Sequence, residues 1–124
     1  MKKLKLEDTC LTIEQVRELQ SLGIDFSNAV MEFTHYDNDG ADEWFLTIVD
    51  DYADSEFADI ENMPTLTNTE MLEMLPTETC FCKTDKGVEV WSRWLEYDGS
   101  EQCEPLLRDA LFEMIKWLKT NKLI

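Results

Sequence analysis

From Glu18 to Cys82 the chain runs for 65 residues without a lysine or arginine, and over that span it carries 16 Asp and Glu. The remainder holds 11 acids and all 11 bases, so this stretch alone accounts for the formal net charge of −16. Carboxylates with no base nearby must face water, because an ionised group buried without a partner is strongly destabilising. The stretch can therefore fold only by turning its apolar residues inward and its acids outward. Its densest part holds Asp37, Asp39, Asp42, Glu43, Asp50, Asp51, Asp54, Glu56, Asp59 and Glu61, with no base among them.

So much charge would suit a disordered chain, but disorder also needs low hydrophobicity. Here 44% of residues are hydrophobic and four are tryptophan, which calls for a packed core. At 124 residues the chain fits one domain of useful core size. The negative field argues against direct binding of DNA, RNA or anionic lipid, and favours basic proteins or metal cations as partners. Glu7 and Asp8 interrupt the basic start Met1–Leu6 before any apolar run long enough for a signal peptide, and no membrane-length apolar segment follows. The expectation is a cytoplasmic protein with reduced thiols.

Local signals divide the chain as follows. Residues 2–6 alternate Lys and Leu, as a short edge strand would. Thr12 with Gln15, and Thr67 with Glu70, each have the spacing of a capping box. The first opens a helix over Thr12–Leu22, with Ile13, Val16, Leu19 and Leu22 on one face and Gly23 ending it. The second opens a short helix with Met71, Leu72, Met74 and Leu75, stopped by Pro76. Between them, residues 29–36 and 44–49 flank an Asp-Gly loop and read as a hairpin. Met31 and Phe33 share one face, and Phe45, Thr47 and Val49 another. Residues 50–63 read as loop, with a turn near Phe57 and Ile60, and Pro64 as a break. Residues 80–84 and 88–97 around Asp85-Lys86-Gly87 read as a second hairpin. Its long strand sets Trp91, Arg93, Leu95 and Tyr97 against Val88, Val90, Ser92, Trp94 and Glu96, which predicts a bulge or burial on both faces. A C-terminal amphipathic helix begins with Pro105 in its first turn, buries Leu107, Ala110, Leu111, Met114, Trp117 and Leu118, and ends near Asn121. Glu104 and Asp109 near its start, and Lys116 and Lys119 near its end, suit the helix dipole.

The fold class is thus α+β: three helices and two antiparallel hairpins. Leu11-Thr12 is echoed by Leu66-Thr67 at an offset of 55, and each capped helix precedes a hairpin, which raises the option of two helix–hairpin units plus a C-terminal helix.

Chemical motifs are few. Aligning Gly40 with the EF-hand glycine puts Asp37 and Asp39 at ligand positions, but His35 and Leu46 then fill the two end positions, so the segment reads as an Asx-rich turn. Cys80-Phe81-Cys82 puts two thiols on one side of a strand, with Cys10 and Cys103 far off in sequence. That spacing lacks the paired knuckles of a zinc site, and no metal or cofactor is expected. His35 is the sole histidine and has no nucleophile motif around it. Trp44, Phe45, Trp91, Trp94, Tyr97 and Trp117 read first as core. Trp44 and Tyr36, beside the acidic turn, are the candidate exposed anchors.

The stretches Thr9–Gln15, Pro64–Thr67 through Leu75–Pro76, and Ala110–Leu118 together resemble a group of small acidic proteins of Bacteroides-type gut anaerobes, often found among prophage or mobile-element genes. The resemblance implies a phage-like context and no catalytic residues. The expected function is therefore non-enzymatic: docking on a basic protein through the acids of Asp37–Glu61. A DNA mimic would space carboxylates like phosphates. A toxin-immunity-type inhibitor would present a compact acidic patch with an aromatic anchor. A small enzyme using carboxylates would hold a few of them, with raised pKa, in a pocket.

Overall fold

The computed structural model of the protein describes residues 5–36, 44–48, 60–92, 95, 97 and 103–124, with only the backbone given for Tyr36, Ile60 and Glu61. Among them are three α-helices, five strands and one 3-10 turn. The class is α+β.

Both capping boxes form. Helix α1 (Ile13–Ser21) starts where the Gln15 N–H donates to Thr12 Oγ1 at 3.2 Å and the Thr12 N–H donates to Gln15 Oε1 at 2.9 Å. Helix α2 (Asn68–Met74) repeats this, with the Glu70 N–H on Thr67 Oγ1 at 3.2 Å and the Thr67 N–H on Glu70 Oε1 at 3.1 Å. Each cap satisfies two N–H groups that a helix start leaves without partners. Gly23 follows α1 with φ +92°, the region where a Cβ would be strained.

The echo between the two caps is a contact in space. The Leu11 N–H donates to the Leu66 carbonyl at 3.0 Å, Thr65 Oγ1 donates to the Leu11 carbonyl at 2.8 Å, and Cys10 bridges Thr67 antiparallel. Both helices therefore spring from one buried seam, where Cys10, Leu11 and Thr65 are fully buried. Burial pushes the Cys10 thiol above its usual range.

Two expectations at the N-terminal end and in the middle of the chain need correction. Leu6, expected to end an edge strand over residues 2–6, instead opens a 3-10 turn, Leu6–Thr9, which the Asp8 carboxylate closes by accepting the Lys5 N–H at 3.0 Å; residues 2–4 lie outside the described residues. The first sheet has three strands, β1 (Met31–Tyr36), β2 (Trp44–Ile48) and β3 (Ile60–Thr65), in the order β2-β1-β3. Residues 60–63 are thus strand, not loop, and Pro64 continues it, paired with Glu32. An edge strand tolerates proline because one of its sides makes no ladder bonds. The register sets Phe33 beside Leu46 and Met63, and His35 beside Trp44, on one face of the sheet. The Asp-Gly loop, residues 50–59 and Val49 lie outside the described residues.

The second sheet pairs β4 (Thr79–Thr84) with β5 (Gly87–Ser92) across Asp85-Lys86. β5 ends at Ser92 and buries one face only, that of Val88, Val90 and Ser92. Leu95 and Tyr97, expected in this strand, lie outside it, and Arg93, Trp94 and Glu96 lie outside the described residues. Gly87, at φ +134°, meets the Glu104 carbonyl so closely that a Cβ would lie 2.5 Å from its oxygen. That approach lets Val88 and Glu104 form a bridge.

Helix α3 (Leu107–Thr120) is the spine of the core. Pro105 precedes its N-cap, Leu106, instead of lying in the first turn. Besides the expected stripe, Phe112 and Ile115 are buried, because α2, β5 and the 3-10 turn all pack on α3. Asn121 ends it, its side-chain amide donating to the Trp117 carbonyl at 2.8 Å.

Candidate functional site

Asp37, Asp39, Asp42, Glu43, Asp50, Asp51, Asp54, Glu56 and Asp59 lie outside the described residues, and for Tyr36 and Glu61 only the strand backbone is given. What is fixed is where these segments attach. Residues 37–43 leave β1 at Tyr36 and enter β2 at Trp44, and residue 59 enters β3 at Ile60, the partner of Tyr36. Trp44 marks that end of the sheet.

Trp44 is half-buried, its ring 4.9 Å from that of His35 and inclined at 32°. With Phe33 it lines a groove of about 460 Å³ whose other wall carries Glu7, Asp8 and Glu14. The 3-10 turn places Glu7 and Asp8, and the first turn of α1 places Glu14. None of these three acids belongs to the base-free stretch. The charge count hides them, because their segment is balanced by the lysines around it. The sequence signal that could have found them is their position astride the Thr12 cap.

Arg108 also lines the groove, but its charge is already engaged. Its Nε donates to Asp109 Oδ1 at 3.0 Å, and its Nη1 donates to the carbonyls of Glu7 at 3.0 Å and Cys10 at 3.2 Å. The arginine thus ties the 3-10 turn to the start of α3. Gln15 completes the knot by donating from Nε2 to Asp109 Oδ1 at 2.8 Å. An arginine spent on backbone carbonyls and a neighbouring carboxylate leaves the groove with an excess of negative charge.

Across the molecule, Lys116 pairs with Glu18 at 3.3 Å and Glu113 at 3.4 Å. The pair with Glu18 joins the base-free stretch to a base elsewhere in the chain. Burial, together with the charges of Asp109 and Glu113, holds the Glu104 carboxyl above the usual range, but Glu104 does not line the groove.

The remaining motifs resolve simply. The flanks of the EF-hand-like segment are strands β1 and β2. Cys80 and Cys82 are exposed on β4, Cys103 is half-buried and Cys10 is in the core. No three His, Cys, Asp or Glu among the described residues are grouped to hold a metal ion. No helix among the described residues is long and apolar enough to cross a membrane.

These features define an α+β fold of two small antiparallel sheets, the smaller packed on the C-terminal helix through β5 and the larger joined to α1 through β3, with an acidic groove containing a tryptophan at one end of the larger sheet. No protein-family model, no curated protein and no solved structure matches the chain.

Proposed function

We propose that this protein is a non-enzymatic docking protein that takes an arginine or lysine of a basic protein partner into the groove beside Trp44. The observation that carries the reading is the meeting of one half-buried tryptophan with Glu7, Asp8 and Glu14 in a groove of side-chain size. A cation over an indole face is attracted by the ring quadrupole, and carboxylates around it add charge-assisted hydrogen bonds. Residues 37–43 connect β1 to β2 at the Trp44 end of the sheet, and the charge of Asp37–Glu61 adds to the long-range field that steers a basic surface toward the chain. A compact acidic patch with an aromatic anchor favours an inhibitor of the toxin-immunity type over a DNA mimic, which needs a long phosphate-like ridge. A phage or mobile-element setting is compatible with either.

The test is a titration of the protein with a short arginine-rich peptide, followed by the Trp44 indole signal in NMR at low and high salt. The Trp44 indole should shift at low salt and much less at high salt. Trp44→Ala, and separately Glu7→Gln with Asp8→Asn and Glu14→Gln, should each weaken binding about tenfold or more. An unchanged affinity in both variants removes the groove from the binding surface. Replacing Asp50, Asp51 and Asp54 with Asn should mainly slow association.

A further inference from the structure

Among the described residues, nothing pairs with the outer edge of β4, which is an open ladder. Val88 on β5 uses both its N–H (2.7 Å) and its carbonyl (3.1 Å) on Glu104, so this residue turns its backbone groups away from β4. Its partner across the hairpin is Lys83. By antiparallel alternation, Lys83, Phe81 and Thr79 must then point their own N–H and C=O groups away from β5. No described residue forms a backbone bond to them there, and the Lys83 carbonyl receives only a 3.8 Å contact from the Cys82 thiol. Cys80, Phe81, Cys82 and Lys83 are all exposed, Phe81 by 52%. Proline and bulges, which commonly guard an edge, are absent from Thr79–Thr84, and Lys83 is its one charge.

We propose that a second copy of this chain fills that edge, antiparallel about a two-fold axis at Phe81, so that two hairpins become one four-stranded sheet. Three observations select this occupant. The first is charge. A chain at −16 repels its copy everywhere except where its surface is neutral, and over residues 79–92 Lys83 and Lys86 balance Asp85 and Glu89. Antiparallel pairing also sets Glu78, before β4, toward the end of the other copy that carries Lys83 and Lys86. Parallel pairing would bring like charges together. The second is symmetry. The open positions 79, 81 and 83 are centred on Phe81, so Phe81 meets its own counterpart and Thr79 meets Lys83 of the second copy, as an isologous contact requires. The third is the thiols. In this register Cys80 lies opposite Cys82 of the second copy, in a pair without ladder bonds. Cα atoms in such pairs are about 4.5 Å apart, within the range that a disulfide spans.

The register makes a test that needs no knowledge of function. Sedimentation velocity over a range of concentrations should move the mass from 14.5 kDa toward twice that value. Added salt should strengthen the dimer, because it screens repulsion between two acidic copies. Docking at the Trp44 groove responds to salt in the opposite sense, so failure of either proposal leaves the other standing. Phe81→Lys, at an exposed position, should weaken the dimer about tenfold or more while circular dichroism stays unchanged. A second readout uses diamide on proteins carrying Cys103→Ser, with Cys10 shielded by burial. Each disulfide forms as two thiols pass two electrons and two protons to the diazene bond of diamide. Cys80→Ser alone and Cys82→Ser alone should cross-link poorly. Their mixture should cross-link, because only the mixed dimer sets Cys82 of one variant opposite Cys80 of the other. A monomer at every concentration and salt, a dimer indifferent to Phe81→Lys, or single variants that cross-link as fast as the mixture would each overturn the proposal.

Discussion

Replacing Arg108 with alanine removes the tie between the 3-10 turn and α3, and its cost can be worked bond by bond. The side chain is only 12% exposed, so solvent screening is limited. Its bond to the Cys10 carbonyl is partly buried, and a hydrogen bond from a charged donor in such a place contributes about 1.5 kcal/mol or slightly more. The Glu7 carbonyl is at an exposed position and regains water, so its loss adds little. Asp109 loses the guanidinium but keeps the Gln15 amide, which limits that loss to roughly 0.5 kcal/mol. The sum is about 2 kcal/mol, or about 8 °C in Tm for a domain between the small and medium size classes. Arg108→Lys should recover less than half, since one ammonium cannot serve two carbonyls and a carboxylate at once. Urea melts give the free energy, and amide exchange gives the location. The Asp8 and Cys10 amides, which bond to the Lys5 and Glu7 carbonyls, should exchange faster, while the Glu70 amide in the α2 cap should not. A loss below about 0.5 kcal/mol, the range of ordinary surface substitutions, would falsify the view that Arg108 holds the groove wall in place.

Three further outcomes follow from the same structure. Tyr97 is buried against Trp117, its hydroxyl has no hydrogen-bond partner among the described residues, and burial drives its pKa upward. Tyr97→Phe should stabilise by about 1 kcal/mol in urea melts, and a loss instead would reveal a missed partner. Gly87→Ala should cost about 2 kcal/mol, because the new Cβ meets the Glu104 carbonyl at a positive φ and breaks the Val88–Glu104 bridge; retention of fast two-state refolding with full stability would contradict this. Glu104 binds its proton more tightly when folded than the reference value of 4.5 implies, for reasons of burial and the charges of Asp109 and Glu113. Its ionisation therefore removes stability as pH rises from 4.5 through the folded pKa. Glu104→Gln should be more stable than the parent near pH 7, with the gain fading as the pH falls toward 4; a gain equal at both pH values counts against the charge explanation.

What the chain reveals without its structure is what depends on residues three or four apart. The two capping boxes, the stop at Gly23 and the apolar stripe of α3 are all local, and each formed as expected. Tertiary structure decided the rest. Ile60–Thr65 carries Asn62 and Pro64 and has little strand character of its own, and it becomes a strand only because β1 offers a partner some 30 residues away in sequence. Phe112 and Ile115 look half-exposed on a helical wheel and are buried because three elements surround α3. The groove shows the same division. Sequence position singled out Trp44 and the charge count a surplus of acid, but neither pointed to the three acids that line the groove with Trp44. Glu7, Asp8 and Glu14 reach Trp44 through the seam that joins the two helix caps, a contact across more than 50 residues. Local spacing sets which elements form, because a turn of helix closes on itself. Which surfaces meet depends on pairings that close long loops, and no short stretch of sequence carries that information.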